Sequence, residues 1–260
     1  MSDAQKGAPG WWCIVPAAGS GQRFGGATPK QYADLMGQPM LLVTLGRLLR
    51  HPQIAGAVVA LAADDAHWPG IDRLCDKPLR TVIGGASRAE SVKRALAALP
   101  GSVAAEDLVV IHDAARPLLA PGDLTRVLER AAQHPVGAVL GVRLADTLKR
   151  VASDGEILRT EDRENLCRAQ TPQVIRRKHL ENACRALDQA GHGALNAATD
   201  DSNMLEVIGL SCCFIDSQSF NDKVTTEADL ALARRLLAPE MDRPELTPQN
   251  WTPRRSLNEA

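Results

Sequence analysis

The sequence predicts an α/β protein with a doubly wound, mostly parallel sheet and helices on both faces. Short apolar runs suited to buried strands alternate with segments of helical apolar spacing. Glycine-rich or acidic loops follow several of these runs. The chain of 260 residues is long enough for one large core. We assign 12–238 to a single domain, and we expect flexible tails at 1–11 and 239–260, the second being proline-rich without periodicity.

The first half of the chain carries the alternation most clearly. The predicted strands are 13–15, 57–62, 79–83, 108–111 and 136–142, and the predicted helices are 40–49, one that begins at Ser87, and 122–133. The spacing of Ser87 and Glu90 predicts a capping box at the second helix. Ligands of such sheets bind beyond the carboxyl ends of the strands. We therefore expect the loops 17–30, 84–91 and 112–117 to share one site.

Beyond the fifth strand the pattern changes. Residues 146–163 alternate polar and apolar side chains around Asp154-Gly155, which predicts a β-hairpin within an arm at about 143–170. This arm is either a surface excursion or an element that packs on a second subunit. A new segment begins at Thr171. Helices are predicted near 178–189, 199–208 and 227–237, with a last strand at 212–215.

Composition excludes several classes of protein. Lys plus Arg is 30 and Asp plus Glu is 31, so no nucleic-acid or membrane partner is indicated. Aromatic residues are only 3%, which argues against a stacking platform for single strands. The six cysteines form no C-x-x-C motif, which favours free thiols and a cytoplasmic protein. No apolar run reaches the roughly 18 residues of a membrane span.

The stretch 14–32 carries the most informative loop. A short apolar run opens into small residues and glycine, followed by Arg23 and Lys30. Such a turn exposes backbone N–H groups that bind phosphate oxygens, although an ordinary surface turn has similar glycine density. A dinucleotide loop is disfavoured because Phe24 stands where the third glycine belongs. A Walker loop is disfavoured because Ala27 stands where its lysine belongs.

The motif A-A-G-x-G-x-R-[FM], followed by P-K-Q-Y, resembles the signature of the sugar-phosphate nucleotidyltransferases. The P-K-Q-Y ending resembles the cytidylyltransferase branch that makes CDP-methylerythritol from methylerythritol 4-phosphate. The resemblance covers roughly 12–237. It implies a Rossmann-like nucleotidyltransferase fold with a projecting β-arm, and CMP transfer from CTP with release of pyrophosphate. It also implies Mg²⁺ or another divalent cation, and a homodimer formed through the arm.

The resemblance implies three sets of site residues. The catalytic cations would be Arg23, Lys30 and Lys223. The nucleotide would contact Ala17, Ala18, Gly19, Gly21, Gly85, Arg88, Ser91, Asp113 and Ala114. The acceptor would contact Thr147, Arg163, Thr171 and Arg116, with Thr147 acting in its own or the partner's site. Asp113 is also the candidate metal ligand. Its alternative is a cap on the next turn, and the alternative for Ser91 is a simple helix-face hydroxyl.

The sequence departs from the family pattern at two positions, and it also leaves three rival functions to be distinguished. Asp222 stands where the family often has an apolar residue, and Asp201 replaces the Glu of T-D-E-A-S. The nearest rival is the same chemistry on another polyol phosphate, such as ribitol 5-phosphate. The more distant rivals are a non-catalytic nucleotide-binding protein and a dinucleotide oxidoreductase.

Overall fold

The computed structural model describes residues 10–19, 28–191 and 193–241. The strands are β1 (Trp11–Pro16), β2 (Asp34–Leu35), β3 (Gln38–Pro39), β4 (Ile54–Leu61), β5 (Arg73–Leu74), β6 (Lys77–Ile83), β7 (Leu108–Ile111), β8 (Gly137–Arg143), β9 (Leu148–Val151), β10 (Ile157–Glu161), β11 (Cys167–Arg176) and β12 (Cys213–Asp216). The α-helices are α1 (Met40–Leu49), α2 (Arg88–Ala97), α3 (Pro121–Gln133), α4 (Arg177–Gln189), α5 (Ala194–Ala197), α6 (Asp201–Glu206) and α7 (Glu227–Met241).

One eight-stranded sheet has the order β12-β8-β11-β7-β1-β4-β6-β5. All of its strands run in one direction except β11 and β5, which pair antiparallel with their neighbours. Helices α1 and α3 pack on one face, and α2 and α4 pack on the other. The predicted doubly wound, mostly parallel sheet is therefore confirmed.

The central strand β1 shows why apolar runs identify this sheet. Cys13 and Val15 contribute to the core beneath α1 and α3, whereas Ile14 between them contributes to the core beneath α2 and α4. All three side chains are fully buried. A strand covered on both faces needs an apolar side chain at every position, which gives a continuous run rather than an alternating one.

Local helix signals were also informative. Helix α1 has the predicted bounds, and Ser87 caps α2 by accepting a hydrogen bond from the Glu90 N–H at 3.1 Å. The Glu90 carboxylate accepts from the Ala86 N–H at 3.0 Å. It therefore reaches one residue beyond the Ser87 N–H that a capping box would engage.

Strand β11 is the main element that the sequence did not predict. It lies between β7 and β8, with Gln173 opposite Ile111, where the sequence indicated only the end of the arm and a new segment. Polar residues and Pro172 interrupt its apolar run, so the strand shows neither a continuous apolar run nor a regular alternation of polar and apolar side chains. The register of β11 against β8 shifts between Ala169 and Gln173, and an irregularity of this kind accommodates a proline inside a sheet.

The structure also describes the two ends of the predicted domain and the predicted hairpin of the arm. Strand β1 already includes Trp11, and α7 continues through Pro239 to Met241, so the ordered elements extend beyond 12–238 at both ends. Residues 1–9 and 242–260 of the predicted tails lie outside the described residues. Strands β9 and β10 form the predicted antiparallel hairpin as a separate sheet. Within the described residues, no helix is long and apolar enough to cross a membrane.

Candidate active site

Two neighbouring pockets lie at the sheet edge where β1, β6 and β7 end, with volumes of about 610 Å³ and 210 Å³. The larger pocket contains ten of the predicted residues: Ala17, Ala18, Gly19, Lys30, Gly85, Arg88, Ser91, Asp113, Ala114 and Lys223. The smaller pocket contains Arg116 and Thr171 of the predicted acceptor set. Arg88, Asp113 and Lys223 line both pockets and form the wall between them. We call these three residues the shared wall.

The first loop is fastened on both sides of Lys30. The Ala17 N–H donates to the Ala60 carbonyl at 2.8 Å, and the buried Gln31 side chain donates to the Ala17 carbonyl at 2.9 Å. The Tyr32 hydroxyl donates to Asp65 at 2.7 Å. Lys30 therefore begins a short 3₁₀ turn, Lys30–Tyr32, whose next two side chains anchor it to the sheet edge. Gly21 and Arg23, predicted for this loop, lie outside the described residues.

The second loop contacts the first. A Cβ atom on Gly84 would lie 2.5 Å from the Cβ of Ala18, so only glycine allows this approach. The Ser91 hydroxyl accepts from the Gly85 N–H at 3.0 Å and donates to the Ser87 carbonyl at 2.9 Å. Ser91 is thus more than a helix-face hydroxyl, because it fixes the turn that lines the larger pocket.

Asp113 is the electrostatic centre of the shared wall. Its Oδ1 accepts from Arg88 Nε at 2.9 Å, and its Oδ2 accepts from Lys223 Nζ at 3.0 Å and Arg116 Nε at 3.4 Å. Burial alone would raise the pKa of Asp113, but these three cations hold it well below its ordinary value. The carboxylate is therefore ionised and bound to side chains, rather than to the backbone N–H groups expected of a cap.

Arg88 directs its donors towards carboxylates. Besides the Asp113 contact, Nη1 and Nη2 donate to the two oxygens of Asp201 at 2.9 and 2.8 Å. The sequence placed Arg88 among nucleotide contacts, and it does line the larger pocket. However, no spacing rule indicated its pairing with Asp201, which is 113 positions away.

Thr171 supports Asp113 from behind. Its hydroxyl accepts from the Asp113 N–H at 3.0 Å and lies 2.9 Å from His112 Nδ1. His112 Nε2 lies 3.0 Å from the Arg116 carbonyl, which can only accept, so Nε2 carries the proton and Nδ1 accepts from Thr171. Burial lowers the pKa of His112 to about 4. His112 is thus neutral near pH 7, with both ring nitrogens occupied.

The loop after β12 carries Lys223 and is fastened by its neighbours. Asn221 donates to the Thr171 carbonyl at 2.8 Å, and its own carbonyl accepts from Arg116 at 2.8 Å. Asp222 accepts from Arg168 at 2.7 Å and from Gln170 at 3.0 Å. The unusual Asp222 is therefore paired with strand β11. Sequence reasoning missed these β11 contacts because the strand itself was not recognised.

Two predicted acceptor residues lie apart from the pockets. Thr147 and Arg163 are exposed on the arm and line neither pocket of the described chain. The action of Thr147 in its own or the partner's site stays a prediction, as does the acceptor contact of Arg163.

The carboxylates of the site fit one mode of metal binding. Among the described residues, no group of three or more His, Cys, Asp or Glu side chains could hold a metal. Asp113 is the only carboxylate among the described residues that line the larger pocket. Mg²⁺ commonly binds through one or two carboxylates together with substrate phosphates. A single carboxylate in the lining of this pocket fits that mode.

Comparison with known proteins gives a consistent result. The family model described as 2-C-methyl-D-erythritol 4-phosphate cytidylyltransferase matches residues 12–238. A protein of that name from Xanthomonas campestris pv. campestris is 50% identical over 220 residues, covering 85% of this chain and 82% of the relative. One from Xanthomonas oryzae pv. oryzae is 49% identical over 236 residues, covering 89% and 85%. A solved structure of the Francisella tularensis protein of that name superposes with a TM-score of 0.72 at 28% identity, covering 86% and 98%.

Proposed function

The chain belongs to the 2-C-methyl-D-erythritol 4-phosphate cytidylyltransferase family, and we propose how its two pockets divide the reaction. The enzyme transfers CMP from CTP to 2-C-methyl-D-erythritol 4-phosphate. The products are 4-diphosphocytidyl-2-C-methyl-D-erythritol, a precursor in the non-mevalonate route to isoprenoids, and pyrophosphate. We assign CTP to the larger pocket and the acceptor to the smaller one. The shared wall carries this assignment, because it brings one set of cations within reach of both ligands.

The larger pocket suits a nucleoside triphosphate. Its volume of about 610 Å³ falls within the range of small-molecule sites. The loop at 17–19 and Lys30 would bind the phosphates, together with Arg23. The turn held by Ser91 would receive the base through the backbone of Gly85. A hydrogen-bonded backbone turn offers fixed donors and acceptors, which is what selection of one base edge requires.

The transfer needs positioning and charge rather than a general base. The acceptor phosphate is ionised near pH 7 and attacks the α-phosphorus in line while pyrophosphate leaves. His112, neutral and occupied at both nitrogens, is unsuited to act as a base. Lys30, Lys223 and Arg23 would stabilise the charge that grows on the phosphoryl oxygens, each contributing roughly 10²–10³ in rate.

A divalent cation, Mg²⁺ by preference, would be held by Asp113 together with phosphate oxygens. Such an ion would neutralise charge on the triphosphate when bound. Asp113 also accepts from Lys223 Nζ at 3.0 Å, so its carboxylate lies beside a cation that we assign to the phosphates.

We further propose a homodimer formed through the arm, in the cytoplasm. Four large apolar side chains of the arm are exposed: Val151, Ile157, Leu158 and Leu166, at 52%, 64%, 61% and 44%. Apolar surface of this kind is typical of a subunit contact. In the dimer, Thr147 and Arg163 would reach the acceptor pocket of the partner. All six cysteines are free thiols, as expected in a reducing compartment.

Pyrophosphate release tests the assignment directly. The protein is mixed with CTP, a Mg²⁺ salt and either 2-C-methyl-D-erythritol 4-phosphate or ribitol 5-phosphate. We expect rapid release with the first acceptor and little with the second. Preferential release with ribitol 5-phosphate would identify the rival acceptor, and release with neither would refute the proposed activity.

Lys30→Ala tests the role of the first loop. We expect its turnover to fall about 10²-fold or more while CTP binding weakens much less. Lys93→Ala is the control, because Lys93 forms an exposed ion pair with Asp188 away from both pockets. Near-normal turnover of Lys30→Ala would exclude a catalytic role for this lysine.

A further inference from the structure

Asp201 is a buried carboxylate that lines neither described pocket, so it is not placed to contact either ligand. It is the first residue of α6 and is 0% exposed. Its two oxygens accept from Arg88 Nη1 and Nη2 at 2.9 and 2.8 Å. This bidentate ion pair joins the first residue of α6 to Arg88, the first residue of α2 and a member of the shared wall.

The pair determines where the third donor of Arg88 points. A guanidinium is planar, so binding both terminal nitrogens to one carboxylate fixes the direction of Nε. That Nε donates to Asp113 Oδ1 at 2.9 Å. The other oxygen of Asp113 accepts from Lys223 Nζ at 3.0 Å and, at the longer distance of 3.4 Å, from Arg116 Nε. A continuous chain of contacts therefore runs from Asp201 through Arg88 and Asp113 to Lys223.

Loss of the Asp201 charge would change this chain in a definite way. Arg88 would have no bidentate partner other than Asp113, and it would turn its fork towards both oxygens of that carboxylate. The turned guanidinium would then compete with Lys223 for Oδ2. The ammonium would lose the contact that holds it between the two pockets.

Burying the ion pair between Asp201 and Arg88 costs desolvation free energy. A buried ion pair repays its desolvation only when its geometry is excellent and its hydrogen bonds are complete. Burial raises the pKa of Asp201, and the ion pair with Arg88 opposes that rise. Burial also works against the charge of Arg88, yet Asp201 and Asp113 together raise its pKa. The guanidinium therefore stays charged between its two carboxylates.

We propose that Asp201 is a positioning residue for the transfer step: it orients Arg88 so that Asp113 keeps Lys223 at the shared wall. This inference rests on the proposed function. It assigns a role in the reaction to a side chain that touches neither ligand.

The first test compares Asp201→Asn and Asp201→Glu with the wild-type protein in the pyrophosphate assay. Asn keeps the shape but removes the charge, and we expect kcat to fall roughly 10–100-fold, since small misplacements of reacting groups have effects of this size. The KM for CTP should change less than kcat. Glu keeps the charge but is one methylene longer, so its kcat should be intermediate, a few-fold below wild type.

Asp188→Asn is the matched control. Asp188 pairs with Lys93 at 2.7 and 2.6 Å, and Lys93 lies on α2, the same helix as Arg88. This variant also removes an Asp ion pair to α2, but on the exposed surface, so its kcat should equal that of wild type. If neither wild type nor this control releases pyrophosphate, the proposed function fails; if both do and Asp201→Asn matches them, only the positioning role fails.

A double-mutant cycle separates positioning from general stability. Because Asp201 acts through Arg88, Asp201→Asn should cause no further loss of kcat/KM in an Arg88→Met background. A residue that only stabilises the fold would lower the free energy of unfolding but leave kcat per folded enzyme unchanged. Losses that multiply would overturn the proposal. If Asp201→Asn does not fold, Asp201→Glu decides: an intermediate kcat supports the role and a wild-type kcat refutes it.

Discussion

Replacing Thr171 by valine would remove one hydroxyl from the buried centre of the site. That hydroxyl accepts from the Asp113 N–H at 3.0 Å and donates to His112 Nδ1 across 2.9 Å. Thr171 is 3% exposed, so water would not replace either bond readily. Valine has nearly the same shape, and the main consequence would be two buried polar groups without partners.

The expected loss follows from those two groups. Each unsatisfied buried donor or acceptor costs about 1–3 kcal/mol, so Thr171→Val should lower the free energy of unfolding by about 2–6 kcal/mol. Domains of this kind are stable by only about 5–15 kcal/mol. Thr171→Ser keeps both hydrogen bonds and loses one methyl group, which should cost about 1 kcal/mol. The contrast between the two variants isolates the hydroxyl.

Urea denaturation followed by tryptophan fluorescence measures this difference. Trp11 and Trp12 are each 7% exposed in the central strand, so their emission reports unfolding of the sheet. Equal stability of the valine and serine variants would refute the buried network. A higher acceptor KM for Thr171→Val without any loss of stability would show instead that the hydroxyl serves the acceptor alone.

Three other changes probe the loops, the histidine and the arm. Gly84→Ala places a Cβ 2.5 Å from that of Ala18, so the loops must separate and CTP affinity should fall about tenfold or more in calorimetric titration; unchanged affinity would contradict the contact. The pKa of His112 is about 4 in the folded chain against an ordinary value of 6.5. As the pH falls, the imidazole therefore takes up a proton in the unfolded chain before it does so in the folded chain. Stability from this group should be complete above pH 6.5 and fall by about 3 kcal/mol towards pH 4, and His112→Gln should lack that part of the pH dependence in urea titrations. Ile157→Asp with Leu158→Asp should give a monomer in sedimentation, and an unchanged sedimentation coefficient would exclude the arm as the interface.

The fold was predictable where burial forces a simple pattern. Strands β1 and β7 are covered on both faces and appear as continuous apolar runs, and α1 ends before a proline as its spacing indicates. Strand β11 was not predicted because it contains the polar residues Gln170, Thr171 and Gln173. Those polar side chains are buried among hydrogen-bond partners supplied by other segments, and a sequence pattern does not contain the partners.

The location of the site was predictable from the sequence, but most of its side-chain contacts were not. The carboxyl ends of parallel strands meet at one edge, so the loops that follow β1, β6 and β7 could be placed together before their contacts were known. The contacts themselves join distant positions, such as Asp113 with Lys223, which are 110 positions apart. The local pair Ser87 and Glu90 did follow a spacing rule, although the Glu90 carboxylate binds the Ala86 N–H.

The shared wall also explains why a carboxylate lies in a site for two anionic ligands. Arg88, Arg116 and Lys223 converge on a small volume, and two like charges about 4 Å apart repel by about 4 kcal/mol at an effective dielectric constant near 20. Asp113 offsets this repulsion, since all three cations donate to it. Among the described residues, the two pockets are lined by four cations, Lys30, Arg88, Arg116 and Lys223, and by two carboxylates, Asp113 and Asp200, so positive charge still faces the phosphates. Contacts with Asp113 thus hold the three donors in a fixed arrangement, and fixed donors stabilise growing charge without the cost of reorganising during the reaction.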